Sequence, residues 1–456
     1  MRKKLLLIFS LAFLIRLVSL SQSLWLDEAT TAKVIHAYTY ANLITQFSPF
    51  DFHPPLYYLF MKWWSSFFGY SEIALRMPSV LFSLLAGFAV YKIGVLLKDK
   101  KTGFWAMLFF LFNPLIIYYS QEARMYMMAT FFLSGGLYFL TKMLKDQSRS
   151  DFFLFNLFCL LSFYTFYGSV FFIFPMYLLL GLTKKYKLLL TSVLIFFLGV
   201  IPLFPLLYTQ FVYSRKALML ITHWSLVLGK ISLKNLLLIP LKFSTGRISF
   251  NPKVFYYVFT GIWTLVVWGF ALKGIAKQKM TGILLFAPLL LGFVFSFFSP
   301  LLQYFRFLYC IIPLSLLMGV VAVKKWQHYF LLAGLVFFSL LYLLVPQFHR
   351  EDWKSLAHSL INAHSVYIIL PSSDPLRYYA PTLPVKELRT LEEVQSEKEI
   401  TVIPYTFDVY GFDYKKELEK RGFSYKNTKS FRGVWYEIWT KNNTYAGNFL
   451  YSLAAI

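Results

Sequence analysis

Apolar stretches of about 20 residues recur along this chain from its start to about residue 346. As a helix, such a stretch satisfies all its backbone donors and acceptors internally, and lipid is the surrounding its surface suits. Few folds accommodate that pattern. Of 456 residues, 58% are hydrophobic and 14% charged, against roughly 25% charged in an ordinary soluble domain. Spans are expected at about 4–20, 73–97, 103–119, 126–144, 152–167, 169–183, 188–207, 254–272, 281–298, 304–323 and 329–346, eleven in all. The opening "MRKKLLLIFSLAFLIRLVSL" is built like a signal peptide, but no small-residue cleavage site follows, so it reads as a retained first span.

Charge sets the expected orientation. With the N-terminus inside, the inside loops are "RKK" (2–4), "KDKK" (98–101), "KMLKDQSR" (142–149), "TKKYK" (183–187), "KGIAKQK" (273–279) and "KK" (324–325). Every one is basic, as cytoplasmic loops are. The C-terminus then lies outside. The formal net charge of +24 comes largely from such short clusters between apolar runs, and nucleic acid is not expected as a partner. Cys159 and Cys310 lie inside apolar runs and read as buried thiols.

Three outside segments are long. Residues 21–72 carry the aromatic "PPLYYLFMKWWSSFFGY", read as an interfacial helix because counting it as a span would invert every later loop. Residues 208–253 hold Arg215, Lys216, Lys230, Lys234, Lys242, Arg247 and Lys253 but no acid; this outer excess of cations reads as help in holding an anionic lipid phosphate, or as attraction to anionic headgroups. Residues 347–456 are richer in acids. There "VYIIL" and "EITVIPY" read as strands, and "YKKELEKRG" as a helix ending at Gly422. The expected architecture is a polytopic α-helical membrane domain, 1–346, with a small extracytoplasmic α/β domain, 347–456.

The outer face gathers polar residues at one depth. Asp27 and Glu28 follow span one; Asp51 and His53 stand in "SPFDFHPPLYY"; Glu72 and Arg76 begin span two. Glu122, Arg124 and Tyr126 separate spans three and four, and Tyr304 and Arg306 top span ten. Ionisable groups at membrane depth are costly and tend to be functional. Carboxylates serve as bases or metal ligands, and the arginine fork suits phosphate. Acids and arginines at the rim of an apolar bundle point to a phosphate-bearing lipid substrate and a reaction that needs a base. Some of these residues also have purely structural readings. "LDEATTAK" suits a helix start with Asp27 as N-cap, Glu72 and Arg76 are spaced to pair on one helical face, and the arginines could snorkel to headgroups.

"LWLDEA", "FHPPLYY", "LRMPSVLFSLLAG", "YYSQEARMYMM" and "SPLLQYFRFLYCIIP" occur in that order. With "REDWKSLAHSL", they resemble the polytopic glycosyltransferases of the GT-C fold, specifically bacterial relatives of the protein O-mannosyltransferases and the lipid A aminoarabinose transferases. The resemblance implies inverting transfer of a sugar from a polyprenyl-phosphate donor to a glycolipid, polysaccharide or protein, outside the cytoplasmic membrane. It assigns the base to Asp27, with Glu28 orienting the acceptor, supporting Asp27 or facing away. Arg124, Arg306, His53 and Tyr304 become donor-phosphate candidates; Glu122, Tyr126, Arg76, Glu72 and Asp51 become supporting residues. The aminoarabinose relatives carry a lysine before the paired prolines, where this chain has His53, as the mannosyltransferases do. Relatives often read "YTHYYG" where this chain reads "YTFYGS", so Phe166 replaces a histidine. Metal dependence is therefore open: no cofactor is assigned, a divalent metal ion remains an option, and His223 is a substitute ligand or an interfacial residue. The rival readings are a lipid-linked glycan flippase and a non-catalytic envelope-assembly protein. A flippase would favour polar residues deep in the spans and two related halves, which the sequence lacks. The identities of sugar and acceptor are not legible.

Overall fold

Each of the eleven expected spans overlaps helix in the computed structural model, which describes residues 2–146, 148–321, 325–392 and 394–442; the end of the expected span 304–323 lies outside the described residues. Lys324 of the last inside loop and Gln147 of the third lie outside the described residues. Among the described residues, six helices are long and apolar enough to cross a membrane: Glu72–Leu97, Tyr126–Asp146, Tyr186–Leu220, Lys253–Lys277, Tyr304–Val321 and Lys325–Leu344. A seventh candidate, Lys100–Leu111 with Pro114–Ser120, is bent by 60°. The others are shorter: Arg2–Leu17, Arg149–Thr165, Val170–Leu182 and Lys279–Phe295.

Two of these differ from the sequence expectation. The stretch 103–119 is not one straight helix. Asn113 caps the second piece by accepting the N–H groups of Leu115 and Ile116, and Pro114 occupies its first position, so the first helix stops before it. The stretch 188–207 does not end where the basic loop was expected to begin. Its helix continues to Leu220, 35 residues in all, which is about 52 Å at 1.5 Å per residue against about 30 Å of hydrocarbon. Arg215 and Lys216 ride on this extension.

The chain forms two compact units. The first comprises residues up to Ser21, Val34–Leu218 and Ser225–His349. Its helices approach closely through small residues. A Cβ on Gly94 would lie 2.6 Å from Gly103 Cα, so Glu72–Leu97 and Lys100–Leu111 meet nearly backbone to backbone. Arg16, the one cation in the first apolar run after the opening cluster, is fully buried. It donates to Ser83 Oγ and to the carbonyls of Ala12 and Leu111, each at 2.8 Å. A cation so placed ties the first helix to its neighbours.

The second unit comprises Gln22–Lys33, Met219–Trp224 and the described residues from Arg350 on. Its five strands are β1 (Val366–Ile368), β2 (Val385–Glu387), β3 (Glu399–Val402), β4 (Phe423–Phe431) and β5 (Val434–Lys441), in the order β2-β1-β3-β5-β4. β1 is parallel to β2 and β3, while β5 is antiparallel to β3 and β4. Alternation along β1 serves two cores. Val366 and Ile368 pack with Trp353, Leu356 and Leu376; Tyr367 packs with Val402, Tyr414, Leu418 and Trp439. The expected strands "VYIIL" and "EITVIPY" contain β1 and β3. The expected helix is Tyr414–Lys420, followed by Gly422 at φ +82°.

Candidate active site

In the helical unit, the loop "SPFDFHPP" is held by Gln210 of the long helix. Gln210 Nε2 donates to the carbonyls of Ser48 (2.7 Å) and His53 (3.0 Å), and its Oε1 accepts the Tyr167 hydroxyl (2.8 Å). Pro54 and Pro55 then lead into the amphipathic helix Leu56–Phe68, which buries Tyr57, Tyr58 and Met61 and exposes Trp63, Phe67 and Phe68. So fixed, Asp51 Oδ1 lies 3.4 Å from His53 Nδ1 and within electrostatic reach of Arg124. Arg124 is buried, and its Nη1 donates to the Tyr58 hydroxyl at 3.4 Å. Burial pushes the Asp51 carboxyl up, but His53 and Arg124 more than offset this and hold it below its ordinary value. Asp51 is thus an anion at neutral pH, beside a histidine and an arginine.

A second cluster forms around Arg247, one of the seven cations of the basic outer segment 208–253. Gly246 before it has φ +71°, and a Cβ there would lie 2.9 Å from Pro114. Lys242 Nζ braces the turn from below, donating to the Ile248 carbonyl (2.8 Å) and the Tyr256 hydroxyl (2.9 Å). Arg247 Nη1 donates to the Tyr118 hydroxyl at 2.9 Å, and its guanidinium lies 4.9 Å from that ring's centroid. Tyr304, Tyr119 and Glu122 are also within its electrostatic reach, and yet Arg247 is exposed. Glu122 itself is buried. Among the cations of that segment, Arg247 follows the glycine of "STGR", which ends its helix.

Arg306 lies in the 3-10 turn Tyr304–Cys310, donating to the Pro300 carbonyl at 3.3 Å and within electrostatic reach of Tyr126. Tyr126 meets Phe305 and Phe166 edge-on, at 5.4 Å and 5.8 Å between centroids. Phe166 thus supplies an aromatic wall beside Tyr126. Arg76 is buried and donates to the Leu20 carbonyl at 2.8 Å, fixing the chain before the first outer loop. Glu72 opens the helix Glu72–Leu97 behind its N-cap Ser71.

Asp27 and Glu28 belong to the sheet-containing unit. Their helix runs Leu26–Ala37, so it begins before Asp27, and Asp27 is not its N-cap. Glu28 reaches back to accept the Trp25 N–H at 3.4 Å, the reciprocal half of a capping box, and is fully buried. Asp27 is half-buried and in electrostatic reach of the Tyr405 hydroxyl, which donates to both oxygens of Glu351 at 3.1 and 3.0 Å. Burial, then Glu351 and Asp27, raise the Tyr405 hydroxyl well above its usual pKa, so it stays a donor at neutral pH. His223 is engaged by the same unit. Its N–H donates to the Val409 carbonyl at 3.0 Å, and Nδ1 lies 2.6 Å from the Asp408 carbonyl. Among the described residues, no three His, Cys, Asp or Glu side chains gather as a metal site.

Residues 52–208 match the family described as dolichyl-phosphate-mannose-protein mannosyltransferase. Over nearly its whole length the chain superposes on ArnT from Cupriavidus metallidurans in the apo state, with TM-score 0.58 and 12% identity, covering 96% of this chain and 98% of that one. The fold is that of the GT-C glycosyltransferases. The same ArnT bound to undecaprenyl phosphate gives 0.57 at 13% identity over 96% and 98%. The archaeal oligosaccharyltransferase AglB from Archaeoglobus fulgidus, in complex with an inhibitory peptide and a dolichol-phosphate, gives 0.51 at 10% identity over 95% of this chain and 74% of that one. No curated protein sequence matches the chain. The GT-C likeness is thus carried by backbone arrangement, and the roles of individual side chains rest on their own surroundings.

Proposed function

We propose that the chain is a glycosyltransferase of the cytoplasmic membrane, with eleven spans, the N-terminus inside and the sheet-containing unit outside. It transfers a sugar from a polyprenyl-phosphate carrier to an envelope glycolipid, polysaccharide or protein. The observation that carries this reading is the pair of cationic clusters, Arg124 with His53 and Asp51, and Arg247 with Tyr304 and Glu122, on a GT-C helical unit. Fixed guanidinium groups amid aromatic rings suit a lipid phosphate that must be held as charge develops on it. Undecaprenyl phosphate bound to ArnT and dolichol-phosphate bound to AglB support that substrate class.

The reaction is a direct displacement. Asp27 takes the proton of an acceptor hydroxyl as its oxygen attacks the anomeric carbon. The bond from that carbon to the phosphate oxygen breaks, the electron pair leaves with the lipid phosphate, and configuration inverts. Arg124, Arg306 and Arg247 neutralise the leaving phosphate, and His53 and Tyr304 add hydrogen bonds. Glu28 serves its helix. The test is transfer from radiolabelled polyprenyl-phosphate sugars by purified protein. Wild type is expected to release lipid phosphate and to glycosylate an envelope extract, and Asp27→Asn to bind the lipid without transfer. Movement of the lipid across a vesicle membrane with no sugar transfer would make the protein a flippase instead.

A further inference from the structure

The geometry points to the short helix Asp374–Tyr379, within "SSDPLRYYAP", as a clamp on the helix that carries Asp27. Asp374 and Tyr379 are positioning residues for the transfer, an inference that rests on the reading of Asp27 as base. The Tyr379 hydroxyl accepts the backbone N–H of Leu24 at 2.7 Å. Asp374 accepts the Thr30 hydroxyl on Oδ2 and the Lys33 ammonium on Oδ1, both at 2.9 Å. Leu24 stands before Asp27 and Thr30 after it, at equal spacing. The first and last side chains of one short helix therefore grip the chain on both sides of the proposed base.

The grip is anchored in a packed core. Leu376, between the two gripping residues, is fully buried with Trp353, Val366 and Ile368, and Pro375 fixes the helix start. Two further bonds hold the approach to Asp27: Arg350 N–H donates to Gln22 Oε1 at 2.9 Å, and Lys354 N–H to Ser23 Oγ at 3.1 Å. Asp374 is only 7% exposed while Lys33 is 56% exposed. An exposed lysine contributes little stability, and a carboxylate so buried is retained where bound partners justify it. Its partners here are two side chains of the helix turn that follows Asp27. A general base must lie within hydrogen-bond reach of the hydroxyl it deprotonates, so a slackened turn costs rate and leaves donor binding alone.

The experiment uses the full chain in nanodiscs with labelled polyprenyl-phosphate sugar, comparing Tyr379→Phe, Asp374→Ala, Thr30→Val and the Thr30→Val/Asp374→Ala double variant. Each single variant is expected to lower kcat by about 10- to 100-fold, the scale of a misplaced reacting group, with donor KM held. Amide exchange over residues 23–33 should rise in each. The double variant should lose no more than its worse single, since both substitutions remove the same Thr30–Asp374 hydrogen bond, and Thr30→Ser should keep the rate. Unchanged kcat with unchanged exchange, additive losses in the double variant, or exchange rising throughout the protein would each overturn the clamp. Asp27→Asn in the same assay separates the two readings. Full turnover by that variant removes the base assignment, whereas exchange over 23–33 still decides whether the clamp holds the helix.

Discussion

Asp27 and Glu28 are neighbours with different surroundings. Glu28 is fully buried and bonded to the Trp25 N–H, while Asp27 is half-buried beside Tyr405. Asp27→Asn is expected to lower kcat by about 10²–10⁴-fold with donor KM nearly kept, and Glu28→Gln, which preserves an acceptor for the cap, to lower it less. The reverse ranking in steady-state kinetics would transfer the base to Glu28. Arg124→Ala, Arg306→Ala and Arg247→Ala should weaken donor binding as well as turnover, because the phosphate is charged before and during transfer. Arg306→Lys should restore only part, lacking the two-pronged contact. Lys242 allows a pH test. Burial, with Arg247 and Lys253 nearby, draws its amine down to about 7 from 10.5. Between those values the unfolded chain binds a proton that the folded chain does not, so stability rises with pH across that window. Thermal unfolding in detergent from pH 6.5 to 9 should show the rise, and Lys242→Met should flatten it; an unaltered slope would assign the titration to another group.

At the scale of elements, the loop 48–53 depends on one side chain of a distant helix. Gln210 donates to both its ends and is itself held by Tyr167. Gln210→Leu keeps an apolar helix but removes both donations to the loop. Donor KM is expected to rise several-fold while the protein stays folded, because Asp51 and His53 lose their shared frame; unchanged KM would show that Pro54 and Pro55 suffice. Nothing local in "YTQFVYSR" marks Gln210, since its partners are far away in sequence. The break at Asn113 was readable in principle from "FNPL", a capping residue followed by proline. The continuous apolar pattern on either side masks it.

For the whole molecule, a reporter fused after Pro346 should be active only on the outer face of the membrane. Cytoplasmic activity would invert the orientation that the basic loops imply. As an accessory domain, the C-terminal residues would bind the acceptor or cover the cavity. Since Gln22–Lys33 packs with them in one compact unit, deleting residues from Arg350 on should abolish turnover with any acceptor while donor binding to the helical unit persists. Selective loss of the natural acceptor alone would return the domain to a purely acceptor-binding role.

Runs such as Glu72–Leu97, Lys253–Lys277 and Lys325–Leu344 were legible because membrane burial acts on local composition: a helix that satisfies its own backbone needs only enough consecutive apolar residues. The strands β1 and β3 were legible for a similar reason, as short apolar runs within a polar tail. Candidate side chains such as Asp27, Arg124 and Arg306 were visible because ionisable residues are rare against that background, although their roles came from the order of the motifs. Contacts between distant segments were not visible. Gln210 with His53, Glu122 near Arg247, and Asp374 with Thr30 each join residues far apart in sequence. Such pairings depend on how helices stack and where the chain returns, and that is settled by side-chain shape and buried hydrogen bonds summed over the whole fold. Sequence by itself determined most of the apolar helices, their order and the presence of rare ionisable residues between them; tertiary structure alone decided the break at Asn113, the extension of the long helix to Leu220, which of those residues meet, and that Asp27 packs with the sheet.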